Sequence, residues 1–167
     1  MFAPDFLLKD IYAVNDEFIE KNNIKAVIFD IDNTLVGFKE PVPPERVVNF
    51  IASLREKGIR VSVASNNSKA RVSLFCRDLN IDYISRACKP LPFALLSLCK
   101  KMCVSPRNTL MVGDQVYTDS LGANVCGMVS AMVDIIDTKE TLTFKIKRAL
   151  EKPIIERKKR KDAEKNG

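Results

Sequence analysis

Apolar residues come along the chain in two kinds of run, short continuous ones and longer ones spaced by three and four positions. The stretch from Lys25 to Val36 is the clearest of the first kind: Ala26 to Phe29 and Ile31 are apolar, and polar residues then take over. Such a run predicts a strand buried on both faces of a parallel sheet. Ile59–Ala64, Ile81–Ile84, Thr109–Val112 and Val129–Val133 predict four more strands. Between them lie segments with helical spacing. Glu45–Lys57 places Val47, Val48, Phe50, Ile51 and Leu54 on one side, with Gly58 as a stop signal. Lys69–Leu79 is a second helix, and Leu91–Met102 a third, with Pro90 as its favourable first residue. Tyr117–Cys126, stopped by Gly127, and Lys139–Leu150 complete the set. The alternation of strand and helix predicts an open parallel α/β sheet with helices on both faces.

Two segments are less determined by pattern. Residues 5–20 place Phe6, Leu7, Ile11, Val14, Phe18 and Ile19 at helix-like spacing. This N-terminal helical segment is expected to pack on the sheet or a partner; the other use of Phe2, Phe6, Leu7 and Leu8 is insertion into a lipid surface. From Glu156 to the end no apolar residue is larger than alanine, so residues 153–167 are expected to form a basic, mobile tail beyond a single domain over residues 1–152. Gly37–Pro44, with three prolines, is a turn-rich loop.

Charge and composition narrow the picture. The net charge is +6, but ten of the 27 basic and four of the 21 acidic residues lie from Lys145 onward, leaving seventeen of each in the remainder. The excess therefore belongs to the tail. It is either a solvated helix end or a contact for an anionic membrane or nucleic acid; without interleaved aromatics, base stacking has no support. There is no histidine, which excludes Ser-His-Asp and Cys-His chemistry. The five cysteines contain no C-x-x-C pair and read as small buried thiols of a reducing, cytoplasmic compartment. No apolar run approaches the roughly 20 residues of a membrane-spanning helix, and the N-terminus lacks the basic and apolar regions of a secretory signal.

Candidate chemistry gathers where strands end, the place where open α/β sheets bind ligands. The first strand brings Asp30 and Asp32, two carboxylates that repel each other unless a cation lies between them. Mg2+ suits such a pair, because it takes one or two carboxylates together with water and phosphate oxygens. The second strand brings Ser65 and Asn66, the turn after the third brings Lys89, and the fourth brings Asp114 with Asp119 beyond it. This set fits phosphoryl transfer, which depends on positioning and charge neutralisation. Asp30 is the candidate nucleophile, and Asp32 the candidate acid and base. Asp30 and Asp114 would hold Mg2+, while Ser65, Asn66 and Lys89 would hold the phosphate. Asp119 and Gln115 are candidates for a supporting layer, and Thr34 is expected to tie down its own loop. Arg71, Arg86 and Arg107 are either substrate-anion contacts or solvated surface groups.

These residues resemble, in order, the four motifs of the haloacid dehalogenase-like (HAD) phosphohydrolases: Asp30-Ile31-Asp32-Asn33-Thr34, Ser65, Lys89, and Gly113-Asp114 through Asp119. The resemblance implies a three-layer Rossmann-like sheet of order 5-4-1-2-3, Mg2+ dependence, and the backbone carbonyl of Asp32 as a further metal ligand. Only 33 positions separate Asp32 from Ser65 and 24 separate Ser65 from Lys89. Neither gap can house the cap domains found in other members, so the chain resembles the capless subfamily III. Within it, the Ser65-Asn66-Asn67 and Lys89-Pro90 steps, with Gly113 to Asp119, resemble the YqeG-like proteins of the IIIA type. These are related to phosphatases that convert phosphatidylglycerophosphate to phosphatidylglycerol. The resemblance thus implies a phosphomonoester substrate, either a lipid phosphate met at a membrane surface or a soluble phosphoester or phosphoprotein. A non-catalytic scaffold is the reading from another class, opposed by the full set of acids and Lys89.

Overall fold

A computed structural model describes residues 2–137 and 142–166. Six parallel strands form one sheet: β1 (Phe6–Leu8), β2 (Ala26–Phe29), β3 (Arg60–Ala64), β4 (Asp82–Ile84), β5 (Thr109–Gly113) and β6 (Val129–Val133). Their order is β1-β6-β5-β2-β3-β4. Counted from Ala26, the five anticipated strands therefore lie in the order 5-4-1-2-3, and β1 extends the sheet at the β6 edge. Successive residues of a strand face opposite sides, and β2 divides accordingly. Val27 and Phe29 pack with α1 (Asp16–Lys21), α2 (Glu45–Glu56) and α3 (Lys69–Cys76). Ala26 and Ile28 pack with α4 (Phe93–Met102) and α5 (Leu121–Cys126). The result is an α/β/α sandwich whose central strand is fully buried. Gly58 and Gly127 end their helices with φ of +80° and +69°, the left-handed values at which glycine carries no steric cost.

The N-terminal segment corrects one expectation. A helix was anticipated over residues 5–20, but Phe6–Leu8 is a strand, followed by a 3-10 turn at Ile11–Ala13 and then α1. The reason is a polar clamp that spacing alone does not reveal. The Asp5 carboxylate accepts from both the backbone N–H and the Oγ of Ser130 at 2.9 Å, and the Asp5 N–H donates to that Oγ at 3.0 Å. This holds β1 in register with β6, Phe6 beside Ala131. Phe6 then stacks edge-on against Phe18, their ring centres 5.0 Å apart.

The other corrections concern helix ends. Pro90 is not a first helical residue: the Lys89–Pro90 peptide is cis, and α4 starts at Phe93 after Pro92. The helix anticipated over Tyr117–Cys126 begins with a π-helical turn, Val116–Ser120. The last helix, α6, does not end near Leu150 but runs as one element over Leu142–Asn166, with Pro153 inside it. Its C-terminal half is rich in Lys, Arg and Glu, good helix formers, and Lys158 pairs with Asp162 at 2.8 Å across one turn. No break in the helix marks a boundary at residue 153. No helix among the described residues is long and apolar enough to cross a membrane.

Replacing Asp5 with Ala leaves the buried Ser130 N–H without its acceptor and the hydroxyl with only the longer contact to Asn124 Oδ1 at 3.4 Å. A loss of about 1–3 kcal/mol is expected, read from the urea unfolding midpoint. An unchanged midpoint would show that β1 holds its place without the clamp.

Candidate active site

Asp30 follows β2 directly, and its N–H donates to the Val112 carbonyl at 2.9 Å, so the sheet ladder still fixes it. The chain then turns sharply. The N–H groups of Thr34, Leu35 and Val36 all point to the Ile31 carbonyl, while Asn33, at φ +61°, donates to Val36 and accepts from the Asp137 N–H. Thr34 ties down the loop through its backbone N–H; its buried hydroxyl has no hydrogen-bond partner among the described residues.

Lys89 is held from two sides. Its backbone is clasped by the Asn66 amide, which accepts from the Lys89 N–H at 2.8 Å and donates to its carbonyl at 3.0 Å. Ala87 and Arg86 donate to the carbonyls of Ser65 and Asn67, and the chain passes through left-handed conformations at Arg86 and Cys88. Such non-glycine conformations cost of order 1 kcal/mol each and persist only where neighbours impose them. Asn66 therefore builds the turn that presents Lys89, a different use from the phosphate contact anticipated for it. Ser65 is buried, with its Oγ accepting from the Asn67 N–H at 3.2 Å.

The Lys89 ammonium reaches Asp30 at 2.8 Å and Asp119 at 2.6 Å, all three groups almost wholly buried. The second oxygen of Asp119 accepts from the Gln115 N–H at 3.1 Å. Gln115 thus contributes its backbone to the supporting layer, while its side chain lines the crevice. A Cβ on Gly113 would stand 2.2 Å from the Asp119 carboxyl carbon. The bare backbone of Gly113 is what lets Asp119 lie over the end of β5. Asp114 is fully buried; Arg148 of α6 donates to its Oδ2 and to its carbonyl, leaving Oδ1 with no hydrogen-bond partner among the described residues.

Asp32 points elsewhere. Its carboxylate is gripped by Asn67 at 2.9 Å and by Arg71 at 3.0 Å, and Arg71 also donates to the Pro41 carbonyl. The two neighbouring acids are thereby separated, Asp30 toward Lys89 and Asp32 toward the first turn of α3. Arg71 and Asn67 were not among the principal candidates, although their position just after Ser65 and Asn66 was a usable signal.

Oxygens of Asp30, Asp114 and Asp119 lie within 4.8 Å of one another, the one such cluster among the described residues. An all-carboxylate donor set suits a hard divalent cation. Asp119 already uses both oxygens, which leaves Asp30 and the orphaned Asp114 Oδ1 as the best-placed donors. The electrostatics agree. Burial raises Asp30 to about 6, with Lys89 opposing and Asp119 adding to the rise. Burial, with Asp119 and Asp30 close by, raises Asp114 to about 8 against the pull of Arg148. Burial alone would lower Lys89, but the Asp119 and Asp30 charges override it and raise it. The cysteines stand outside this chemistry: burial pushes Cys76 up to about 12 and Cys126 to about 11.

The crevice has a volume of about 410 Å³ and is lined by Asp30, Asp32, Ser65, Asn66, Lys89 and Gln115, together with Phe38, Thr118 and Lys147. Lys147 belongs to α6, so the C-terminal helix supplies one wall. Among the described residues no inserted cap domain is present, as the spacing implied, and α6 closes one side of the crevice through Lys147. Glu151, one turn further along α6, is buried and accepts from the N–H groups of Val116 and Tyr117 at 2.8 and 3.3 Å. Lys147, Arg148 and Glu151 carried no motif that would single them out.

Asp30 and Asp114 titrate higher in the folded chain than in the unfolded one. Their contribution to stability is complete below about pH 4 and is lost as pH rises through about 6 and about 8. The melting temperature of chelator-treated protein should therefore fall across this window. An added divalent cation, which binds the ionised carboxylates, should restore progressively more of it as pH rises. Differential scanning fluorimetry from pH 5 to 8 checks this; a cation effect independent of pH would argue against the carboxylate cluster as its site.

The comparisons with known proteins bear on this geometry. The family model for haloacid dehalogenase-like hydrolases matches residues 37–127. The probable phosphatase YqeG of Bacillus subtilis is 32% identical over 160 residues, 96% of this chain and 93% of that protein. The cobalt-bound deoxy-D-mannose-octulosonate 8-phosphate phosphatase YrbI of Haemophilus influenzae superimposes with a TM-score of 0.56 at 25% identity, covering 66% of this chain and 69% of that one. A putative subfamily IIIA hydrolase of the HAD superfamily from Legionella pneumophila shares the fold, with a TM-score of 0.52 at 20% identity over 73% of this chain and 72% of that one. With strand order, the acids at the strand ends and a near full-length relative in agreement, this chain belongs to the haloacid dehalogenase-like hydrolases.

Proposed function

We propose that the protein is a Mg2+-dependent phosphomonoester hydrolase that works through an aspartyl-phosphate on Asp30. The observation that carries the reading is the buried contact of Lys89 with Asp30 and Asp119 beside the orphaned oxygen of Asp114. In this reading Asp30 attacks phosphorus, and the bond from phosphorus to the substrate's ester oxygen breaks. Asp32 gives its proton to that departing oxygen. Asp32 then takes a proton from water, the hydroxide attacks phosphorus, and inorganic phosphate leaves Asp30 free. Asp32 enters the cycle protonated, and Asn67 and Arg71 hold its ionised carboxylate in place once that proton has gone. Lys89 and Ser65 bind the phosphoryl oxygens, and Asn66 sets the position of Lys89. Mg2+ held by Asp30 and Asp114, with the Asp32 carbonyl as a further ligand, would offset the repulsion between an anionic nucleophile and an anionic phosphate.

The substrate we favour is phosphatidylglycerophosphate. The likeness to YqeG supports the branch, and a groove on the surface supports contact with an anionic lipid face. Phe2, Ala3, Pro153 and Ile154 form its apolar side, with Arg157, Lys158 and Lys161 alongside. Phe2 is 46% exposed there, beside Tyr117. Each basic residue close to an anionic surface contributes about 1 kcal/mol. A soluble phosphoester is the second reading, favoured by the likeness to YrbI, a phosphatase named for a sugar-acid phosphate.

Asp30→Asn is expected to abolish Mg2+-dependent phosphate release, by a factor of about 10³ or more, while far-UV circular dichroism stays unchanged. Undiminished turnover would remove the nucleophile. Phosphate release from vesicles containing phosphatidylglycerophosphate, set beside a panel of sugar phosphates, nucleotides and phosphopeptides, separates the substrates. Faster turnover of a soluble ester would overturn the lipid assignment and leave the chemistry standing.

A further inference from the structure

The four motifs end at Asp119, yet a side chain twenty-nine positions later is the one bonded to the Asp114 carboxylate. Arg148 makes a two-pronged contact: one guanidinium nitrogen on the Asp114 carbonyl, another on Oδ2. A guanidinium is planar and permanently charged, so two contacts fix the orientation of what it binds more firmly than one. Asp114 is fully buried, and Oδ2 is the oxygen taken up; Oδ1 has no hydrogen-bond partner among the described residues. Arg148 is itself anchored. Its side chain is largely buried, and its Nη1 lies 3.6 Å from the second carboxylate oxygen of Glu151. Glu151 in turn is fastened by the N–H groups of Val116 and Tyr117, the residues that follow Asp114 and Gln115. The chain Asp114–Arg148–Glu151–Val116 closes on itself, tying α6 to the segment that carries the metal-site acids.

We propose that Arg148 is a positioning residue for the cation site: by holding Oδ2 of Asp114 it presents Oδ1 as the ligand, and α6 is thereby part of the active site. The proposal rests on the metal-dependent reading above. A carboxylate bridging a cation and an outer cation-bearing side chain is a common way to fix a ligand, and loss of such an outer partner typically weakens metal binding about 10–100-fold. The alternative geometry is competition, in which Arg148 and the metal exclude one another at Asp114.

Isothermal titration of the full chain with Mg2+ decides between them. Arg148→Met is expected to raise the Mg2+ Kd by about 10–100-fold, with Arg148→Lys intermediate, because lysine keeps the charge and loses the second prong. The melting temperature of the metal-free variants reports on their fold separately. An unchanged Kd in Arg148→Lys and Arg148→Met, or tighter Mg2+ binding in either, overturns the proposal; tighter binding is the signature of competition. If Arg148→Met does not fold, the Arg148→Lys titration alone decides, an unchanged or lower Kd counting against. If the wild-type chain shows no Mg2+ binding, the metal-dependent reading itself fails and the role of Arg148 falls with it. Retained wild-type binding with unaltered variants removes only the role of Arg148.

Discussion

Three carboxylates buried within 4.8 Å of one another are the constraint around which the rest of the molecule is arranged. Asp30, Asp114 and Asp119 repel, and burial magnifies the repulsion, because a low-dielectric surrounding screens little. Two cations of the chain itself offset part of this. Lys89 sits between Asp30 and Asp119, and Arg148 against Asp114. Each is delivered by an element whose geometry makes little sense otherwise. The Arg86–Lys89 turn adopts left-handed conformations stabilised by Ser65, Asn66 and Asn67, and α6 places a guanidinium against the residue that follows β5. The compensation is incomplete: Asp30 and Asp114 still titrate well above the ordinary carboxylate range. A buried site short of positive charge and rich in oxygen donors is one that gains from a divalent cation and from chemistry on an anion.

The sheet solves a second problem, how neighbouring acids in one short segment come to have different surroundings. Asp30 is still bonded to the ladder and faces Lys89, whereas Asp32 lies within the turn and faces Asn67 and Arg71. Different neighbours are what push two like groups toward different roles. The division depends on the Ile31 carbonyl gathering three N–H groups, a backbone arrangement that Asn33 completes by entering the left-handed region.

Much of this could be read before any coordinates. β2 and β5 announced themselves as continuous apolar runs, because a strand covered on both faces has no polar side to interrupt it; the edge strand β4 was legible although Asp82 and Tyr83 are exposed. Gly58 and Gly127 marked helix ends because positive φ is cheapest for glycine. Asp30, Asp114, Lys89 and Asp119 do converge, since all follow strands of one parallel sheet, with Asp30 and Lys89 lining the crevice and Asp114 and Asp119 buried beside them. What escaped notice depended on contacts between residues far apart in sequence. β1 is held by Asp5 on Ser130, 125 positions away, and no local pattern records such a bond. Arg148 and Glu151 sit in a segment rich in Lys and Arg, where one more charged residue carries no signal. Pro90 fitted a helix start by propensity, but the contacts of Lys89 with Asn66 decided the local backbone and moved the helix on to Phe93.

Gly113 carries a consequence for how this site can vary over generations. Any side chain at that position collides with the carboxyl of Asp119, 2.2 Å from where its first carbon would stand. Room could be made by shrinking residue 119, but that removes a counter-charge from the buried Lys89. Lys89 would then rest on Asp30 alone, at 2.8 Å, and weakening the pairing of a buried charge costs part of the 5–15 kcal/mol that holds a typical domain together. Positions 113 and 119 are thus bound to one another in any descendant: residue 113 cannot grow alone, and changing both takes from the lysine one of its two partners. A smallest residue is locked in place by a charge it never touches.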